Sequence, residues 1–229
     1  MINICIPYRN MPVCLEKFLS KIKVFDKNVD IKFLIVEQSD DNKRFNLGKL
    51  INVGFDFYNR TTNEKKWIFG FNPIDMIPLE GIDIYIQGKN YLKEKKCNFL
   101  GYHYQIEQGH YKSFLCSKNN FIKLNGFTNN FWGYGAEDNE IQYRLILKNM
   151  KQELKKINFY SWGEVGEDNL HFYHSPDALL GLEHHETNLK KIKNLTEDKI
   201  QLDGLSTLSY NIIDKQKIYD NIDYIKVNI

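Results

Sequence analysis

Short apolar runs alternate with stretches of helical periodicity through the first third of the chain. Ile2 to Ile6 is an apolar run closed by Pro7, and a helix is predicted from about Val13 to Lys23. Ile31 to Val36 is a second run. It is followed by a helix from Lys49 to Phe57 in which Leu50, Val53 and Phe57 recur at helical spacing, and Trp67-Ile68-Phe69 supplies a third strand. Strands alternating with helices predict an α/β fold with a parallel sheet wound in the Rossmann manner, whose ligands bind beyond the carboxyl ends of the strands. That puts Pro7 to Asn10, Glu37 to Asp41 and Phe71 to Asp75 on one rim. Further along, a helix is expected within Ala178 to Leu195, and two closing strands at about Ser209 to Ile213 and Tyr224 to Val227.

One stretch breaks this pattern. From Gly126 to Ala136 three aromatics, Phe131, Trp132 and Tyr134, are spaced by small residues, which predicts a loop presenting a flat surface suited to stacking on a sugar. Glu137, Asp138 and Glu140 follow in the first turn of a helix running to about Lys148, with Ile141 and Leu145 as a buried i, i+4 pair. Carboxylates at a helix start are common as caps and as complements to the helix dipole. Capping needs one side chain and no aromatic surface, however, whereas a base that takes a proton from a sugar hydroxyl needs a carboxylate beside a sugar platform.

Composition removes several function classes. The 229 residues suffice for one sizeable core, and 31 Lys and Arg against 29 Asp and Glu leave a net charge of +2, too balanced for a nucleic-acid or acidic-membrane partner. No run of about 18 apolar residues or signal-peptide pattern occurs, so the expectation is a cytoplasmic protein without a membrane span. Cys5, Cys14, Cys97 and Cys116 show no close-spaced metal pattern and are expected to be reduced and mostly buried.

The stretch from Gly126 to Asn139 resembles the Gly-Phe-Pro-Asn-Asn-Tyr-Trp-Gly-Trp-Gly-Gly-Glu-Asp-Asp motif of the β-1,4-galactosyltransferase family, which are inverting enzymes of the GT-A fold that use a UDP-sugar and manganese. Ile6-Pro7-Tyr8-Arg9-Asn10 and Phe45 to Phe55 resemble two further family segments that contact UDP. The resemblance therefore implies Pro7, Tyr8, Arg9 and Phe45 as donor-binding residues. Phe71 to Pro78 is similar to the family's Asp-x-Asp segment, with Pro73 at the first Asp and Asp75 at the metal-ligating second. Leu170 to Asp177 resembles the segment that completes the metal site, so the implied ligands are Asp75, His171 and His174, with His171 where the family has Met. On a straight strand residues three apart face opposite sides, so both His can bind one ion only where the strand kinks or ends. Oxygen plus imidazole suits manganese and similar divalent ions. Glu183, His184, His185 and Glu186 are a second group of metal-ligating types.

Ser117 to Phe127 is similar to a short family helix leading into the platform, and Asp203 to Tyr210 to the family's Asp-Gly-Leu-Asn-Ser-Leu-Thr-Tyr. The resemblance thus spans nearly the whole chain and implies one GT-A domain over 1–229, with a Rossmann-like nucleotide-binding half at 1–75, an acceptor and metal-completing half at 76–229, and a mixed central sheet. Asp138 is implied as the catalytic base, with Glu137, Asn139, Tyr134 and Trp132 binding a glycan acceptor. Two family arginines are Met11 and Leu47 here. In the donor-sugar loop Gly109, His110, Tyr111 and Lys112 replace an aromatic pair and two glycines, so Lys112 is a donor-site candidate offsetting a missing arginine. The transferred hexose therefore stays open between galactose and N-acetylhexosamine. Two other readings stay open at this point: a GT-A domain that has lost turnover and binds glycan or nucleotide sugar, and a metal hydrolase using the same ligands.

Overall fold

The computed structural model describes residues 1–22, 30–104, 111–133, 135–161 and 181–229. Strand β1 (Ile2–Tyr8) is buried along its whole length. Because successive strand residues face opposite sides, Ile4 and Ile6 join one core and Cys5 the other. Strand β2 (Ile31–Gln38) divides in the same way, with Phe33 and Ile35 on the first side and Leu34 and Val36 on the second. Helix α1 (Pro12–Ile22) covers the first face with Cys14, Phe18 and Ile22, and helix α2 (Leu47–Thr61) covers the second with Leu50, Val53 and Phe57. The helices take opposite faces because β2 and β3 (Ile68–Phe71) flank β1 on either side, parallel to it, and right-handed crossovers in the two directions leave on opposite sides. A Cβ on Gly54 of α2 would lie 2.4 Å from Cys5 Sγ, so glycine is what lets the helix sit this close to β1.

After β3 come β4 (Met76–Pro78), α3 (Asp83–Glu94), β5 (Phe99–His103), β6 (Ser113–Ser117), α4 (Lys118–Leu124), α5 (Glu137–Leu147), β7 (Gln152–Lys156) and β8 (Phe159–Ser161). The chain continues through α6 (Gly181–Ile192), α7 (Glu197–Gln201), a 3-10 turn at Leu205–Thr207, β9 (Asn211–Tyr219) and β10 (Ile222–Asn228). Eight strands form a sheet in the order β7-β5-β6-β3-β1-β2-β10-β9, and β4 pairs separately with β8. The centre of the sheet is the parallel array that the alternation predicts, and β7 runs parallel to β5 at one edge. β6 runs antiparallel to β3 and β5, and β9 antiparallel to β10, giving the mixed sheet that the resemblance implied.

The first three strands and two helices lie within a few residues of their expected positions, as do α5, α6 and the closing strands, although β9 extends to Tyr219. The β4–β8 pair, α3 and the edge strand β7 lacked a sequence signal. Gln152–Lys156 has one apolar residue, Leu154, among four polar ones and is only partly buried, so it shows no apolar alternation. The four cysteines are free and buried, as expected.

A cluster of phenylalanines ties the sheet to the region that follows it. Phe121 of α4 lies 4.7 Å from Phe55 and 4.8 Å from Phe69 between ring centroids, and Phe114 lies 5.7 Å from Phe127. The start of the Gly126 loop is therefore anchored in the main core.

Candidate active site

At the carboxyl ends of β1, β2 and β3 the three expected rim segments come together, since these strands are parallel neighbours. Pro7 and Tyr8 are buried at the end of β1. Arg9 donates to Lys43 O at 2.6 Å and pairs with Asp40 at 3.5 Å, which fastens the loop between β2 and α2 to the end of β1. In the same loop Gln38 Nε2 donates to Arg44 O at 2.9 Å and Asn46 N to Gln38 Oε1 at 3.0 Å. Asn46 then caps α2 by accepting from Lys49 N at 2.9 Å. Phe45 is half-buried against the main core, and its carbonyl accepts from Gly133 N at 2.8 Å. The nucleotide-side loop and the aromatic loop are thus directly joined.

Asp75 is buried in the turn between β3 and β4. That turn is built by Asn72, whose Nδ2 donates to Pro73 O at 2.8 Å and Met76 O at 2.7 Å while its Oδ1 accepts from Tyr85 Oη at 3.1 Å. The β4–β8 register pairs Met76 with Ser161, so the chain leading towards the predicted histidine ligands leaves β8 beside Asp75. His171 and His174, together with Tyr134, Gly109 and His110, lie outside the described residues.

The aromatic loop is held from two directions. Asn52 of α2 accepts from Phe127 N at 2.9 Å through Oδ1, and donates through Nδ2 to Phe127 O at 2.8 Å and Asn129 Oδ1 at 3.0 Å. From the other side Asn129 Nδ2 donates to Gly204 O at 2.7 Å, and Asp203 accepts from Asn129 N at 2.8 Å and from the Thr128 hydroxyl. Gly204 has φ +137°, and a Cβ there would stand 1.9 Å from Asn125 O. No other residue fits so close an approach in that backbone region.

Phe131 and Trp132 do not share one surface, which corrects the expectation for Phe131. Phe131 is 3% exposed and packs with Ala136 and Ile192 in a small separate cluster. Trp132 is half-buried against the main core, with Lys43 Nζ 5.7 Å and Lys49 Nζ 6.0 Å from its ring centre. Gly133, at φ +83°, lets the backbone turn directly after Trp132, a choice that spacing does not reveal.

α5 starts without a side-chain cap. Its N-cap is Ala136 at φ 73°, with no capping hydrogen bond, so the carboxylates that follow are not explained by capping at that position. Burial pushes Glu137 up to about 8, helped by Asp138 and opposed by backbone N–H groups. Burial likewise pushes Asp138 up to about 6, and the Lys112 ammonium pulls it back. Asn139 is half-buried beside them. Lys112 thus acts electrically on the base candidate, a role the sequence expectation of a donor contact did not contain. Tyr111 of the same segment is a core residue: its ring lies 5.1 Å from Phe99 and would stand 2.0 Å from a Cβ on Gly101.

Behind these groups Arg144, fully buried, pairs with Glu140 and donates to Leu124 O at 3.1 Å, Asn125 O at 3.3 Å and Asp203 O at 3.0 Å. The i, i+4 spacing of Glu140 and Arg144 is visible in the sequence, but that spacing usually marks a solvated helix face. α6 packs over the aromatic loop: Arg44 contacts His184, a Cβ on Gly135 would lie 2.6 Å from His185 Nδ1, and Asn188 donates to Gly135 O at 3.0 Å. His184 and His185 are therefore taken up in packing, and among the described residues no three His, Cys, Asp or Glu side chains are placed to share an ion.

Comparison with known proteins agrees with this architecture. Residues 1–88 match the family model described as the N-terminal region of glycosyl transferase group 7, and residues 95–175 match that described as the N-terminal domain of galactosyltransferase. A Drosophila β-1,4-galactosyltransferase 7 variant, solved with manganese, UDP-Gal and xylobiose, superposes with a TM-score of 0.70 at 19% identity, over 100% of this chain and 93% of that one. A Pyrobaculum calidifontis mannosyltransferase solved with GDP-Man and Mn2+ gives a TM-score of 0.53 at 13% identity, over 67% of this chain and 54% of that one. The fold is that of the GT-A nucleotide-sugar transferases. β-1,4-Galactosyltransferase 4 of Mus musculus is 29% identical over 231 residues, covering 96% of this chain and 62% of that protein, and β-1,4-galactosyltransferase 1 of Homo sapiens is 27% identical over 94% of this chain and 52% of that protein. The chain belongs to the β-1,4-galactosyltransferase family, and spans little more than half the length of these curated relatives. No helix among the described residues is long and apolar enough to cross a membrane.

Proposed function

We propose that this protein is an inverting glycosyltransferase that moves a hexose, galactose or N-acetylhexosamine, from a UDP-sugar to a sugar hydroxyl of a glycan acceptor. The observation that carries the proposal is Asp138: a carboxyl pushed up to about 6, on an uncapped helix start one loop away from Trp132. A base with a pKa just below neutrality is ionised at working pH and still accepts a proton readily, which is what deprotonating an attacking hydroxyl requires. Glu137, shifted to about 8, carries its proton at neutral pH, so it can donate a hydrogen bond to an acceptor oxygen while Asp138 accepts one. Asn139, Tyr134 and Trp132 are assigned to hold the acceptor, and Lys112 keeps Asp138 ionised. Residues 1–75 form the nucleotide-binding half, in which Pro7, Tyr8, Arg9 and Phe45 bind the donor, and 76–229 the acceptor half.

Asp75 suits a divalent ion, because it is a buried carboxylate at the carboxyl end of a parallel strand and the chain leading to His171 and His174 departs beside it. Mn2+ held by Asp75, His171 and His174 would offset the negative charge of the departing diphosphate.

The deciding experiment is a panel of UDP-sugars assayed for product with Mn2+ and with a chelator, alongside thermal shifts with UDP and GDP. Metal-dependent product from one UDP-sugar and a larger Tm rise with UDP are expected. Full turnover in chelator removes the metal assignment. Binding without product on any acceptor supports a binding module instead.

A further inference from the structure

We propose that Asp203 is a positioning residue for catalysis: it holds the aromatic loop and the first turn of α5 in one fixed relation, so that the acceptor-binding groups and Asp138 meet the same sugar. The proposal rests on Asp138 being the base. Asp203 lies 65 residues beyond Asp138 in the chain and is joined to both elements at once. Its carboxylate accepts from the Thr128 hydroxyl and, at 2.8 Å, from Asn129 N, both in the aromatic loop. Its backbone carbonyl accepts from Arg144 Nη2 at 3.0 Å, and Arg144 is paired with Glu140, two residues after Asp138 in the same helical turn. A rigid path therefore runs from Thr128 through Asp203 and Arg144 to Glu140.

Three features make this path more than a surface bridge. Arg144 is 0% exposed and Glu140 1%, so the pair is held in a low-dielectric setting where losing a partner is costly. α5 has no side-chain cap to set its start, so its orientation depends on such contacts further along. Asp203 is itself locked from behind: Asn125 accepts from Leu205 N at 2.9 Å through its backbone carbonyl and from Ser206 N at 2.9 Å through Oδ1, while its Nδ2 donates to Ile200 O at 2.7 Å. Effective catalysis needs reacting groups held to a fraction of an ångström, and a displacement of about 1 Å costs as much as ~10²-fold in rate.

The test uses Thr128→Val, Thr128→Ser and Asp203→Asn in the whole protein, with UDP-galactose and xylobiose as probes and hydrogen exchange as a readout that needs no turnover. Expected for Asp203→Asn and Thr128→Val is about a tenfold loss of kcat/KM for xylobiose with the UDP-galactose KM within about twofold of wild type. Exchange should quicken at residues 127–133 and 137–141 while β1 and α2 stay protected, and Thr128→Ser should recover most of the loss. Unchanged exchange at both segments, or a loss spread equally over β1, α2 and both substrates' KM values, overturns the proposal. Wild-type turnover in Asp138→Asn would instead sink the base assignment, leaving the exchange result to stand by itself.

Discussion

The two halves of this molecule are held together by different physics. Around β1, β2 and β3 the structure is a stack of apolar layers: Ile4, Ile6, Phe33 and Ile35 against α1, and Cys5, Leu34 and Val36 against α2. Its polar groups add a few ties at the rim, such as Arg9 to Lys43 O. Around α5 the organising contacts are the ion pair of Glu140 with Arg144 one helical turn on, and hydrogen bonds between residues 59 to 75 positions apart, among them Asn52 with Phe127, Asn129 with Gly204, and Arg144 with Asp203. Burying apolar surface stabilises without specifying direction, whereas hydrogen bonds specify geometry and contribute about 1 kcal/mol each. A nucleotide platform tolerates the first kind of support. A base that must reach one hydroxyl needs the second.

Removing a ring from the apolar half should have the largest effect. Phe121→Ala takes the central ring from contact with Phe55, Phe69 and Phe114, and should cost about 3–5 kcal/mol of stability, read by chemical denaturation. A loss below about 1 kcal/mol would show that this half is not organised by that cluster.

Asp138→Asn should leave denaturation midpoint and UDP binding nearly unchanged, because the amide keeps the shape of the carboxyl. It should still lower the transfer rate by at least ~10²-fold, the usual contribution of a general base. A rate within about threefold of wild type would mean that Asp138 supports its helix and nothing more. In the wild type the rate should rise as pH passes upward through about 6, since the ionised form of Asp138 is the active one.

The smallest effect expected is on the pH dependence of stability. Glu137 is pushed from an ordinary 4.5 up to about 8 in the folded state, so folding favours its protonated form. Its protonated form contributes stability at low pH, and this is lost as pH rises from about 4.5 towards 8. Glu137→Gln should flatten that decline, measured as Tm against pH. An unaltered slope would place Glu137 in contact with water and remove its proposed role as a hydrogen-bond donor.

Much of the apolar half was legible in the chain. Continuous apolar runs mark β1 and β2, which bury both faces, and helical spacing marks α2, which buries one face and leaves a periodic trace. β7 was not legible, being a polar edge strand, nor was the β4–β8 pair of three residues each. In the site, Glu137 and Asp138 were singled out by their place after the aromatic loop, and Asp75 by the family resemblance of Phe71 to Pro78 rather than by any pattern of its own. Phe131 was expected on a surface that it does not join, and Tyr111, in the segment that departs most from the family, fills the space over Gly101.

By itself, then, the sequence determined the βα alternation, the rim formed at the carboxyl ends of β1, β2 and β3, and the run of residues from Gly126 to Arg144 to which the chemistry is assigned. Tertiary structure decided that Phe131 and Trp132 turn into different clusters, that Lys112 acts on Asp138, and that Asp203 ties the aromatic loop to α5. The reason is one of range. Periodicity records what a residue does with neighbours one to four positions away, while the pKa of Asp138 and the seat of its loop depend on burial and on partners brought in from distant parts of the chain.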